Sequence, residues 1–231
     1  MLLRPRLLAE ALGTGLLVVA VIGSGIAAER LAPGQAGLDL LINAASTAAV
    51  LVALLLAFGP VSGGHLNPVV SLAAWASGTL SPREAGGYVG AQVIGGAGGA
   101  VVANLMFSLP AVRLATTARS SAGLWLAEVV ATFGLVLVVL SLVRGGRSSA
   151  VPYAVAAYIG GAYFFTASTS FANPAVTVAR TLSDTFAGIA PSSVPAFVLA
   201  QLAGAALAFV TARALHPDPS ELIGADHARG A

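Results

Sequence analysis

The sequence contains no cysteine and no lysine, and charged residues make up only 9% of its 231 positions. Without cysteine there is no disulfide, no thiol nucleophile and no cysteine-ligated metal site, so the compartment has to be read from topology. The basic residues are eleven arginines, set against nine acids, and they are scattered, whereas nucleic-acid binding wants a clustered basic face. The shortage of charge is the strongest exclusion. Soluble domains carry about a quarter charged residues, but this chain is 57% hydrophobic with a mean hydropathy of +0.90. A second, soluble domain is therefore excluded, and the chain reads as one all-α integral membrane domain. Enzyme signatures are also missing: there are three histidines, no H-E-x-x-H or G-x-S-x-G, and no pair of acids at a chemically useful spacing.

Apolar runs long enough to cross a bilayer, which takes about 20 residues, are expected at Leu7 to Ala28, Leu38 to Gly59, Ala85 to Phe107, Leu124 to Val143, Ala150 to Thr166 and Ser193 to Leu215. The first follows Arg4 and Arg6 but runs on to Glu29 without a cleavage context, so it reads as a retained helix. A cytoplasmic N-terminus places Arg4, Arg6, Arg83, Arg144, Arg147, Arg213 and Arg229 inside and Arg30, Arg113 and Arg119 outside, which obeys the positive-inside rule. Both termini then face the cytoplasm. The polar end 216–231, with His216 and His227, reads as a disordered cytoplasmic tail.

The stretches 60–79 and 167–190 are too short or too broken to cross, yet each carries an apolar half-helix pattern behind an Asn-Pro pair. The chain also repeats itself. LAEALGT at 8–14 returns as LAEVVAT at 126–132, Asn67-Pro68-Val69 returns as Asn173-Pro174-Ala175, and Ala91-Gln92 returns as Ala200-Gln201. Three spans per half, an odd number, force the second half to enter from the opposite side. An inverted repeat follows, about 1–110 and about 120–215, with its special residues at the midplane. Asn followed by Pro starts a helix, because Asn caps a backbone N–H and Pro needs no donor at the first position. Two such starts meeting head to head aim two positive dipole ends at one point and leave each Asn amide as a donor toward a lumen, which repels cations and orients a neutral polar solute. The many glycines read as close helix packing.

These residues resemble the major intrinsic protein (aquaporin and aquaglyceroporin) family over essentially the whole chain. The motifs are SGGHLNPVVS at 62–71, FANPAVTVAR at 171–180, the paired Glu10 and Glu128, and the paired Ala-Gln. The resemblance implies six transmembrane helices with two re-entrant half-helices, a homotetramer with one pore per protomer, and no cofactor or metal. It makes Asn67, Pro68, Val69, Asn173, Pro174 and Ala175 the pore signatures, with Glu10 and Glu128 as buried acids holding the re-entrant loops rather than relaying protons. His65 then lines the pore or braces backbone carbonyls.

Counting by the family's spacing puts the narrowing positions at Thr47, Gly161, Ser170 and Val176, where Val176 stands in place of a nearly universal Arg. A ring with no cation, imidazole or aromatic plate is expected to be wide and weakly polar. Thr177 stands where glycerol-type members carry an acid, and Val69 adds methyls where the half-helices are expected to meet. Arg180, about 6 Å beyond Val176, lines the vestibule or else is an interfacial residue paired with Asp184 or with lipid. Val176 together with the run 173–191 resembles a bacterial subgroup associated with arsenic resistance. That implies passive conduction of arsenite, an uncharged trihydroxy species near neutral pH, with glycerol, urea and water as further solutes, in a bacterial inner membrane. The competing readings are a water or glycerol pore with an unusual filter, and a non-conducting structural tetramer.

Overall fold

The structure, a computed structural model, describes residues 2–217. Among these, eight α-helices carry the fold: α1 (Leu3–Leu31), α2 (Ala36–Ser62), α3 (Pro68–Ala76), α4 (Pro82–Met106), α5 (Ala122–Arg144), α6 (Val151–Phe165), α7 (Pro174–Ala179) and α8 (Val194–Leu215). Helices α1, α2, α4, α5 and α8 are long and apolar enough to cross a bilayer. The remaining expected span is α6, whose 15 residues rise about 22 Å, with a 3-10 turn at Ser148–Ala150 leading into it. The expected tail, with His227 and Arg229, lies largely outside the described residues; His216 closes α8.

Local chemistry sets the helix ends. Ser81 and Glu84 form a reciprocal capping box with Pro82 at the first position of α4, and Ser121 caps α5 through the Leu124 N–H. Helix α2 stops at Gly63, whose φ of 92° only glycine tolerates readily.

Helix α1 packs on α4 and α5 on α8, the two halves using the same pairing. Both contacts need glycine. A Cβ on Gly95 would stand 2.0 Å from the Ala11 carbonyl oxygen, and one on Gly204 would stand 2.5 Å from that of Val129. With no hydrophobic drive between helices in lipid, such backbone approach supplies the packing. Apolar side chains also cover the outside: Leu8, Leu12 and Leu16 form an exposed stripe at helical spacing on α1, matched by Leu199 and Val210 on α8. This inversion of the soluble pattern follows from a hydrocarbon solvent.

The start of α1 and the end of α8 share one side. Arg144 at the end of α5 donates to the His216 carbonyl, while Arg6 at the start of α1 bonds Glu84 and Tyr88 of α4. The far side is closed by an irregular segment, 107–121, whose backbone bonds the return of the second re-entrant stretch: Ala115 N to Thr181 O, and Ala190 N to Thr117 O.

Candidate functional site

The two half-helices start where they are expected. Asn67 accepts from the Val69 N–H, and Asn173 from the N–H groups of Ala175 and Val176, each followed by Pro at the first helical position. The free side of each amide is used differently from the expectation. Asn67 Nδ2 donates to the Ala172 carbonyl and Asn173 Nδ2 to the Leu66 carbonyl, both at 2.8 Å. Each Asn therefore ties its own half-helix to the opposite loop. An amide has two N–H groups, so one of each remains for the lumen that both residues line.

The residues just before the Asn pair are strained. Leu66 (φ 49°) and Ala172 (φ 46°) sit in the left-handed region, at a cost of order 1–3 kcal/mol each. The buried acids hold them there. Glu10 Oε2 accepts from the Leu66 N–H (2.7 Å) and Gln92 Nε2 (2.7 Å), while its Oε1 accepts from the His65 N–H (3.0 Å) and Ser62 Oγ (2.6 Å). Glu128 repeats the pattern with the N–H groups of Phe171 and Ala172, both at 2.9 Å, and Gln201 Nε2 at 2.6 Å. The two glutamines in turn donate to Ser71 and Thr177, on α3 and α7. Both acids are fully buried and spent on loop donors; their geometry is that of a brace.

His65 lines the cavity, touches Ser71 Oγ through Nδ1 at 3.1 Å and stands edge-on to Tyr88. Its place in the second half is taken by Phe171, so the repeat is broken at this position. Val69 is fully buried in one apolar cluster with Ala73 of α3, Val136 and Leu140 of α5, and Ala208 and Ala212 of α8, and it does not line the cavity described below.

A cavity of about 890 Å³ runs from Arg144, Ser148 and Ser149, on the side where α1 starts and α8 ends, to Thr47, Tyr163 and Arg180 toward the far side. No carboxylate of the described residues lines it. Its mouth is open, with Leu56 and Val143 each 46% exposed, whereas Thr47, Tyr163 and Arg180 at the other end are 2–3% exposed.

Of the four counted narrowing positions, Thr47, Ser170 and Val176 line the cavity and Gly161 does not. The lumen stripe of α6 is Val151, Val155, Ile159 and Tyr163. Gly161, two residues off that stripe, is turned about 200° away and lies exposed. The count of twelve assumed an unbroken register, and the helix turns a different face inward. Tyr163, absent from the sequence expectation, shares a 3.1 Å hydrogen bond with Thr47. Its signal was available as the fourth member of a helical-period stripe, hidden among apolar neighbours.

Arg180 also departs from one of its two readings. It is buried, its Nε donates to the Ala187 carbonyl, and its guanidinium lies over the Phe171 ring. Asp184 instead bonds the Thr116 N–H and hydroxyl and pairs with Arg113 at 3.3 Å. Those donors hold the Asp184 carboxyl below its ordinary range. Arg119 grips the same segment through the carbonyls of Gly188 and Phe186. The far end of the cavity is thus lined by a cation, Arg180, and by the aromatic rings of Tyr163 and Phe171, contrary to the expectation of a ring with neither.

Comparison with known proteins bears on this geometry. The model of the family described as Major intrinsic protein matches residues 3–167. Aquaglyceroporin AqpS of Rhizobium meliloti (strain 1021) is 50% identical over 208 residues, 90% of this chain and 88% of its own length. Aquaporin TIP1-2 of Zea mays is 34% identical over 165 residues, 66% of this chain and 63% of its own. Among solved structures, the aquaglyceroporin from Plasmodium falciparum superposes with a TM-score of 0.73 at 20% identity, covering 96% of this chain and 99% of that one; the last likeness concerns the fold.

Proposed function

Because the chain belongs to the major intrinsic protein family, we propose that it is a passive transmembrane channel for small uncharged solutes, arsenite and related metalloid hydroxides foremost, with glycerol and water also permeating. The observation that carries this reading is the cavity of about 890 Å³ that is lined by the paired Asn67 and Asn173 and, toward the far side, by Thr47, Ser170 and Val176. Head-to-head half-helix starts oppose cations at that point. Hydroxyls on one part of the wall and valine on another suit a solute that carries several hydroxyls on a compact centre. Val176 in place of a cation, and the 50% identity to an aquaglyceroporin, support a solute larger than water. Net flux then follows the gradient, and efflux requires an internal source of the solute.

The arginine distribution supports an orientation with both termini cytoplasmic in a bacterial inner membrane, and the family supports a homotetramer with one lumen per protomer. A second reading, a plain water or glycerol facilitator, is favoured by one observation: Tyr163 and Arg180 line the far end and make it more polar than Val176 alone implies. Light scattering by proteoliposomes challenged with arsenite and glycerol at equal osmolarity, beside an impermeant solute, separates the two. Rapid re-swelling with arsenite is the expected result. Water flux without re-swelling would return the chain to the second reading.

A further inference from the structure

Six buried side-chain oxygens have no hydrogen-bond partner among the described residues, and four of them fall into two repeat-related pairs: Thr14 Oγ1 with Gln92 Oε1 in the first half, and Thr132 Oγ1 with Gln201 Oε1 in the second. All four side chains are fully buried, and none lines the lumen. Isolated orphans would scatter without regard to the repeat. The same two atoms recurring in both halves mark a built feature.

The glutamines are fixed by groups already described. Gln92 spends both N–H groups, on Glu10 Oε2 at 2.7 Å and on Ser71 Oγ at 2.9 Å, so the carboxylate sets its orientation and its amide oxygen has to face elsewhere. Gln201 is held in the same way by Glu128 and Thr177, at 2.6 and 2.9 Å. An amide oxygen only accepts, and the helical N–H groups around it are committed to their own ladders. Thr14 and Thr132 stand one helical turn beyond the two acids, at i+4 on the same face. A Cβ on Gly96, one turn beyond Gln92, would lie 3.6 Å from Thr14 Cγ2, and one on Gly204 would lie 3.1 Å from Thr132 Cβ. Each threonine therefore packs on the helix that carries the glutamine. Their hydroxyls also leave unused the common outlet of a helical hydroxyl, the carbonyl four residues back, which Ser24, Ser71, Thr177 and Thr211 all take.

We propose that each half binds one buried water molecule between its glutamine and its threonine. In the first half the water donates to Gln92 Oε1 and accepts from the Thr14 hydroxyl; in the second it donates to Gln201 Oε1 and accepts from the Thr132 hydroxyl. Water fits because a single small molecule must donate and accept at once, and two such partners suffice to hold it. A cation does not fit, since Glu10 is already spent on four donors. The wall of the first site adds the Ala175 carbonyl oxygen, 3.4 Å from the Gly96 Cβ position. The two waters complete the hydrogen bonding of the glutamines that link each acid to its half-helix. They belong to the braces, and the inference stands whichever solute the lumen passes.

The test uses the full chain. Thr14→Val and Thr132→Val keep the shape of the side chain and remove its hydroxyl. Where a water bridges that hydroxyl to the glutamine, each variant should melt about 3–6 °C below the parent in detergent. The double variant should fall by about the sum, because the sites lie in different halves. A truly orphaned hydroxyl gives the opposite sign, so a variant melting at or above the parent would overturn the site in its half. A density map of the unaltered chain, at a resolution that shows ordered water, decides the matter even where a variant does not fold. The expected result is a water peak within about 3.2 Å of both Thr14 Oγ1 and Gln92 Oε1, with a counterpart at Thr132 and Gln201. A direct threonine–glutamine hydrogen bond, or a dry gap between them, would refute the proposal.

Discussion

Replacing Glu10 by Gln changes one atom's chemistry in a site where every donor is accounted for. The carboxylate accepts four hydrogen bonds, two on each oxygen. A glutamine oxygen can keep the pair from Leu66 and Gln92. The amide nitrogen then faces the His65 N–H, a donor against a donor. Bonds to a charged acceptor are worth about 1.5–3 kcal/mol against about 1 for neutral ones, so the two retained bonds lose roughly 1 kcal/mol each and the orphaned N–H adds a further 1–3. Relief from burying an anion offsets part of this, leaving a net loss of about 2–4 kcal/mol and a Tm lower by roughly 5–15 °C for a chain of this size. Glu128→Gln should cost less, because Glu128 accepts three bonds in place of four. Thermal unfolding in detergent, followed by size-exclusion recovery, reads both. If either variant melts within about 2 °C of the parent and keeps its solute flux, the brace reasoning is wrong; if Glu128→Gln is the worse of the two, the bond count is not what matters.

Val176→Arg should narrow the lumen and cut metalloid flux more than water flux; equal loss of both in folded protein would argue against a size filter at that position. Gly95→Val should prevent assembly, since even a Cβ there meets the Ala11 carbonyl at 2.0 Å; recovery of a folded variant in yield equal to the parent would mean the α1–α4 crossing can open. Asp184, held below its usual range by the Thr116 N–H and hydroxyl, stabilises the far-side loop above the ordinary carboxylate pKa of about 4, and that contribution fades as pH falls through its depressed folded value. Asp184→Asn should therefore lower the Tm slightly at neutral pH with the difference shrinking in acid, and a difference that grows on acidification would contradict the assignment.

What could be read from the residues alone was whatever depends on short-range spacing. Asn-Pro pairs, the Ala-Glu and Ala-Gln repeats and the apolar runs are local signals, and the half-helices, the paired hubs and the long spans follow them closely. The filter did not transfer in the same way, because it depends on which face of α6 turns inward. That face is set by packing against α2 and α5, and a two-residue offset swaps Gly161 for Tyr163. Arg180 was ambiguous for a related reason. An i, i+4 acid is visible at Asp184, but the carbonyl of Ala187 and the ring of Phe171, which hold the guanidinium, become neighbours only when the loop folds back. The exchange of Asn amides between loops was likewise invisible, since 105 residues separate Asn67 from its acceptor Ala172.

That separation has a consequence for how the protein is made. As the chain is synthesised, the first three spans can insert and pack, and Glu10 can collect its donors, while residue 172 does not yet exist. The Asn67 amide must then wait with its outward donors unmatched until the second loop arrives, and the Leu66 carbonyl waits for Asn173. Neither half can finish its own centre. Completion of the lumen is therefore a single late event shared by both halves, and the first half, expressed by itself, should insert as three helices without acquiring a closed midplane.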